Sequence, residues 1–327
     1  MMNNWKKDDL SVRLITEARL RVKKYARTTE LTYSEELSRN LGTNLYFKWE
    51  NHQPTGSFKI RGAANKILSN LTECRRKGVV SASTGNHGVA MAYVCQQEGL
   101  SLELYVPSSI ADHKRKKLET GKTRLVLVEG TCEQAEALAR SQARQKGQVF
   151  VSPYNDPEVI AGQGTCGLEI FEEEPEVDEV VIPVGGGGLI SGVAVYLKKK
   201  KPSVRITGVE PENSAFIKNS LSLGRQSNDF PEKPTVADAV AGGVEEGSIT
   251  FDLICRYVDN MISVSEEAII EAMRLIFRSH QEKVEGAGAL ALAVLLSFPG
   301  LFAGKKIVAI VSGGNIAPSV WEKLVLA

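Results

Sequence analysis

The chain has 327 residues, with 40 Lys plus Arg against 39 Asp plus Glu and 43% hydrophobic residues. At roughly 100–200 residues per domain, this length predicts two domains or one large α/β unit. A formal net charge of +1 offers no field to a polyanion, which argues against a nucleic-acid partner, and no apolar run approaches the roughly 18 residues of a membrane span. The start, MMNNWKKDDLSV, lacks the apolar stretch of a secretion signal, so a cytoplasmic protein is expected. Cys74, Cys95, Cys132, Cys166 and Cys255 are odd in number and form no CxxC pair, and the four histidines lack zinc-site spacing. The cysteines are read as buried, inert thiols.

In chain order, short β-branched runs predict strands at 44–50, 78–83, 101–107, 123–130, 179–184, 204–210, 261–265 and 305–312. Most are followed by 10–16 residues with apolar positions at helical spacing, as after residues 86 and 131. Ser265 is placed to cap EEAIIEAMRLIFRSHQ, whose first turn carries two glutamates where the helix dipole favours negative charge. Strands alternating with helices predict an α/β fold with parallel-rich, twisted sheets covered by helices. The segment 222–243 is rich in Gly, Pro, Ser and Asp, and loops of this length are more often functional than idle. One strand–helix set around 78–150 and another from 178 onward predict two sheets with a cleft between them.

The strongest local feature is VIPVGGGGLISGVAVYLKKK, where a strand runs through Gly185, Gly186, Gly187 and Gly188 into a helix. Four glycines let backbone N–H groups approach an anion at the positive end of a helix, which points to phosphate. A Walker A loop needs a lysine where Val193 stands, and the dinucleotide fingerprint fails at Ile190 or Ser191. Glu210 ends the next strand where a ribose-binding acid would lie, so a dinucleotide remains the runner-up to a small cofactor with one phosphate. Lys59 follows a Pro-Thr-Gly-Ser turn. Ser83, Thr84, Gly85, Asn86 and His87 lie between a strand and a helix, where hydroxyls, an amide and free N–H groups suit a carboxylate. Another strand ends in Ser312, Gly313, Gly314 and Asn315. A lysine can form an imine with an aldehyde cofactor and then act as a base. Pyridoxal phosphate accounts for lysine, phosphate loop and carboxylate loop together, whereas a nicotinamide dinucleotide leaves Lys59 unexplained.

PTGSFKIRGA, STGNHG, IAGQGT, VGGGGL, TVADAVA and VSGGN follow one another over residues 50–316. In this order they resemble the fold-type II pyridoxal-phosphate enzymes, specifically the threonine/serine dehydratase and serine racemase family. The resemblance implies a tryptophan-synthase-β-like fold, with a discontinuous large domain (1–77 and 151–327) and a small domain (78–150). It implies that Lys59 carries the cofactor as a Schiff base, with Phe58 beside it, and that Asn86 hydrogen-bonds the ring hydroxyl. Gly185, Gly186, Gly187, Gly188 and Leu189 would wrap the phosphate, Gly242 would line the ring between Ala241 and Gly243, and Glu285 would stand at its edge. Ser312 would face the pyridine nitrogen, a neutral partner that weakens the ring as an electron sink and favours loss of a β-substituent over a long-lived carbanion. Ser83, Thr84, Asn86 and His87 would receive the substrate carboxylate. Racemases of the family carry serine where Thr84 stands, and that residue acts as base on the opposite face.

Dehydration of β-hydroxy amino acids, with L-threonine and L-serine giving 2-oxo acid and ammonia, is therefore the expected activity, by a homodimer. The alternatives are a serine or other amino-acid racemase on the same cofactor, a β-replacement synthase, and a non-catalytic nucleotide-binding protein. Glu210 is the candidate ligand for a divalent cation (Mg or Ca), although Phe216 occupies the position of the family's aspartate. Tyr154 stands where several relatives have asparagine, which would alter the substrate pocket. ASTGNHG and AVAGGVEEGSITF resemble the dehydratase branch linked to hydroxyectoine breakdown or phenylserine. With the last residue at Ala327, no room is expected for the C-terminal regulatory domain of biosynthetic threonine dehydratases.

Overall fold

The computed structural model describes residues 10–326, so most of the N-terminal stretch read above as lacking a signal, together with Ala327, lies outside the described residues. Ten strands are present among them: β1 (Leu31–Tyr33), β2 (Asn44–Trp49), β3 (Val79–Ala82), β4 (Leu102–Pro107), β5 (Thr123–Val128), β6 (Val149–Phe150), β7 (Glu179–Pro183), β8 (Arg205–Pro211), β9 (Asn260–Val264) and β10 (Lys306–Val311). They form a six-stranded sheet, β1-β2-β10-β7-β8-β9, and a four-stranded sheet, β5-β4-β3-β6. Every pairing is parallel except that of β1 with β2. The eight strands expected from sequence are all there. The two that were not expected, β1 and β6, are three and two residues long at sheet edges, too short to show a period.

The central strands are buried throughout, as β3 and β7 show, because helices cover both faces of each sheet. Helix Cys132–Lys146 begins with a capping box between Thr131 and Gln134 and lays Ala135, Ala139 and Ala143 against the small sheet. Ser265 caps helix Glu266–His280 as expected, its side chain accepting from the Ala268 N–H at 3.3 Å.

Three helices meet almost backbone to backbone. A Cβ on Gly162 would stand 2.5 Å from the Arg61 carbonyl oxygen and 2.8 Å from the Gly62 Cα, and one on Gly192 would stand 2.5 Å from the Gly164 nitrogen. Helix Pro157–Glu173 therefore packs without spacers against Lys59–Ser69 on one side and Gly188–Lys200 on the other. This is the work of the IAGQGT segment, whose residues 160–165 are all buried. The carboxyl ends of β3, β7 and β10, where ligands of open parallel sheets bind, lead directly into residues 83–86, 184–188 and 312–315.

Candidate active site

Lys59 is the first residue of helix Lys59–Ser69, and the loop before it is stitched to the end of β10. The Phe58 N–H donates to the Ser312 carbonyl at 3.1 Å, the Gly314 N–H to the Gly56 carbonyl at 2.9 Å, and Ser57 bridges Gly313. Gly56 turns the chain at φ +72, a conformation that suits glycine. Two residues after Lys59, the buried guanidinium of Arg61 is held by Glu50 and Glu169, with four contacts of 2.7 Å. This network fixes the helix and so the start of the Lys59 side chain. Lys59 Nζ donates to the Pro153 carbonyl at 2.9 Å and lies 5.1 Å from the centroid of the Phe58 ring. Burial lowers its amine to about 8, against the opposing pull of Glu136 and Glu285.

The glycine turn is enclosed by neighbours that leave no space for side chains. A Cβ on Gly185 would stand 2.9 Å from the Val240 Cα, one on Gly186 would run into the Tyr154 ring, and one on Gly188 would stand 3.1 Å from the Tyr154 Cα. Gly187 adopts φ +81. The first helical bond of Gly188–Lys200 is Ser191 N–H to the Gly187 carbonyl, so the N–H groups of Gly188, Leu189 and Ile190 have no partner within the helix. Thr250 pins the turn by donating to the Gly186 carbonyl at 2.7 Å. Phe58, Lys59, Asn86, Leu189, Glu285 and Ser312 share a cavity with this turn.

The second turn follows β3. Ser83 Oγ accepts from the Gly85 N–H at 3.1 Å, and helix Asn86–Glu98 makes its first bond from Val89 to Gly85, leaving the N–H groups of Asn86, His87 and Gly88 open. Asn86 Nδ2 donates to Glu285 Oε1 at 2.7 Å, while its Oδ1 accepts from Asn315 Nδ2 at 2.8 Å. Burial pushes the Glu285 carboxyl up to about 7, with the Asn86 hydrogen bond opposing. A cleft of about 1840 Å³ is lined by residues of this turn, Lys59, Tyr154, Gly186, residues 238–245 and helix Cys132–Lys146.

Two site residues take a closer description, and one sequence expectation needs correction. The His87 ring is buried, with Nε2 3.0 Å from Ser81 Oγ, and burial followed by the Lys59 charge lowers it to about 3. What His87 offers the cleft is its N–H. Glu210 uses its two oxygens to accept from the Ile217 and Lys218 N–H groups, at 2.9 and 2.8 Å, and so caps the following helix. Phe216 packs on Phe230, with ring centroids 5.2 Å apart, and no cluster of three metal-ligating side chains occurs among the described residues. Finally, the cysteines are not all buried: Cys74, Cys95 and Cys166 are, but Cys255 is exposed on helix Ile249–Tyr257 and Cys132 is exposed where it opens a helix at the cleft.

Gly242 lines the cleft at φ +106, its N–H donating to Ser214 Oγ at 3.0 Å. Sequence reasoning missed Glu136, Arg140 and Glu245, which converge on the same cleft from helix Cys132–Lys146 and the 241–248 segment. The only sequence signal was the i,i+4 spacing of Glu136 and Arg140, which any exposed helix face shows.

Residues 22–313 match the family described as Pyridoxal-phosphate dependent enzyme. The L-threonine ammonia-lyase of Thermotoga maritima is 41% identical over 311 residues, covering 95% of this chain and 77% of that one. The serine racemase of Arabidopsis thaliana is 35% identical over 314 residues, covering 94% of each chain. The structure of the processed form of threonine deaminase isoform 2 from Solanum lycopersicum superposes with a TM-score of 0.89 at 33% identity, covering 98% of this chain and 93% of that one. The cavity fits the cofactor of that family. It has a backbone cradle that any Cβ would fill and a lysine amine of lowered basicity. With most of its length matched in sequence and its fold shared with solved members, the chain belongs to the pyridoxal-phosphate-dependent enzymes and uses pyridoxal phosphate as its cofactor.

Proposed function

We propose that this enzyme dehydrates and deaminates β-hydroxy amino acids, with L-threonine and L-serine as substrates. Threonine gives 2-oxobutanoate and ammonia: water is lost across the α- and β-carbons, and hydrolysis of the resulting enamine returns one water and releases ammonia. Bound pyridoxal phosphate supplies an aldehyde carbon for the substrate amine and a ring that withdraws electrons from the α-carbon. In this reading the N–H groups at Gly188, Leu189 and Ile190 hold the phosphate. Phe58, Gly242 and Glu285 border the ring, and Ser312 gives its nitrogen a neutral partner. The N–H groups of Asn86 and His87, with the Ser83 and Thr84 side chains, orient the substrate carboxylate. Lys59 Nζ, with its basicity lowered toward neutral pH, takes the α-proton, which places the acid–base group on one face of the substrate.

One observation carries the choice of dehydration over racemization. Racemization needs a second acid–base group on the opposite face, and the position where racemases of the family carry serine holds the bulkier Thr84 here. The test is a 2-oxo-acid assay over L-serine, L-threonine, threo-3-hydroxyaspartate and phenylserine, with chiral analysis of the serine incubation. Pyruvate and 2-oxobutanoate formed well ahead of D-serine are expected; D-serine outpacing pyruvate overturns the choice, and turnover of no substrate sinks the dehydratase reading.

Residues 78–150, which contain all four strands of the smaller sheet, act in this reading as a small domain that brings the carboxylate turn to the lysine, while 1–77 and 151–327 hold the cofactor. A cytoplasmic homodimer belongs to the same reading, and sedimentation equilibrium tests the dimer.

A further inference from the structure

Beyond Lys59 and the two turns, one wall of the cleft carries charge that the reaction does not use. Glu136 and Arg140 lie one turn apart on helix Cys132–Lys146, and both line the cleft with Lys59. Arg140 Nη2 donates to Glu136 Oε1 at 3.1 Å and to Glu245 Oε2 at 2.8 Å, and the guanidinium carbon sits 4.6 Å from the Phe150 ring centroid. Asn155 Nδ2 donates to Glu245 Oε2 at 2.7 Å, and the Glu245 N–H donates to the Tyr154 hydroxyl at 2.8 Å. One guanidinium thus serves two carboxylates, and within this trio negative charge is in excess.

Glu136 is the more enclosed of the two carboxylates, with its side chain 21% exposed against 34% for Glu245. Burial raises its carboxyl, Glu245 adds to the rise, and Arg140 opposes it. Its charge also acts on Lys59 more strongly than that of Glu285 does. An incoming carboxylate would have to take Arg140 from both its partners while lying beside two like charges, and such juxtaposition is costly in a desolvated cleft.

Resting on the proposed function, we infer that Glu136 is a specificity-determining residue. It selects β-hydroxy amino acids whose side chain beyond the β-carbon is a hydrogen-bond donor, a neutral group or a cation, and it rejects those that end in a carboxylate. Tyr154 and Asn155 position Glu245 and, through Arg140, the Glu136 carboxylate.

The holoenzyme is titrated calorimetrically with L-2,4-diaminobutyrate and with L-aspartate. These carry opposite charges at the same side-chain carbon, and neither has a β-hydroxyl to lose. In parallel, kcat/KM is measured for L-threonine and threo-3-hydroxyaspartate. Diaminobutyrate is expected to bind at least about tenfold more tightly than aspartate, and threonine to exceed hydroxyaspartate by a similar factor. Glu136→Gln brings both ratios to within about threefold, and Glu245→Gln shifts them in the same direction by less; thermal unfolding verifies that each variant is folded. Equal ratios in wild type and both variants overturn the inference. Tighter aspartate binding in the wild type also overturns it and assigns the wall to Arg140. Failure of the wild type to turn over threonine counts against the proposed function instead, and the binding ratio, compared between wild type and the two variants, then decides on Glu136 independently.

Discussion

Two strand-to-helix turns bring open helix N-termini to the same cleft, and they are built on opposite terms. At residues 185–188 every direction a side chain could take is occupied by Val240, Tyr154 or Ile254, so the turn presents main-chain N–H groups and nothing else. At residues 83–86 the space beside Gly85 is open, with no atom within 4 Å of where a methyl group would sit, and the polar work falls to the Ser83 hydroxyl and the Asn86 amide. The first turn is constrained by exclusion and the second by side-chain chemistry. An anion held by the first is recognised by shape and dipole. A ligand at the second meets groups that substitution can retune.

The largest expected effect tests what the two turns have in common. Lys59→Ala removes the amine that lies between them and should lower kcat/KM by about 1000-fold or more, with loss of the visible absorbance of the bound cofactor. The lowered basicity of Lys59 gives the next effect. A pKa of about 8 instead of 10.5 means fewer protons on the folded amine at neutral pH. Roughly a tenth of it is free at pH 7, against about three parts in ten thousand for an ordinary lysine. Aldehyde trapping of the cofactor-free protein with borohydride, mapped by mass spectrometry, should label Lys59 first, with half-maximal rate near pH 8; an ordinary lysine profile would contradict this.

Substitutions in the turns themselves come next. Gly186→Ala drives a methyl into the Tyr154 ring and should cost up to about 3 kcal/mol, read as a lower Tm and cofactor lost on dialysis. Asn86→Ala removes one hydrogen bond from the buried Glu285 carboxyl and one from the Asn315 amide, which keeps its bond to the Thr55 carbonyl, for about 1–2 kcal/mol and a raised KM. Gly85→Ala is the smallest: at φ −118 and with open space it should stay within about 0.5 kcal/mol of wild type, cofactor retained. A Gly85→Ala variant as damaged as Gly186→Ala would erase the distinction between the turns.

The strands, the glycine turn and the lysine were legible in sequence because each depends on neighbours within a few residues. Apolar runs mark buried parallel strands, and four successive glycines mark a backbone that must come close to something. The orientation of His87 was not legible, since whether its ring turns to the cleft or to Ser81 is decided by space under the small sheet. The capping of the helix that begins at Phe216 by Glu210 was not legible either, since it depends on how that helix returns against the end of β8. The Arg140 bridge joins residues 105 positions apart, and nothing local announces it. Edge strands as short as β6 owe their form to the partner alone, here Val79 and Val80 of β3.

The glycine contacts of helix Pro157–Glu173 have a consequence for how this enzyme can diversify. Because Gly62 meets Gly162 and Gly164 meets Gly192 through main-chain atoms, the spacing between the lysine helix and the phosphate-turn helix cannot be adjusted by choosing another rotamer. That helix acts as a fixed gauge block between the two halves of the cofactor site. Variation that would disturb the gauge is closed off, so change in substrate range is channelled to the side where side chains, not backbone, meet the ligand: the 83–86 turn, helix Cys132–Lys146 and the 241–248 segment.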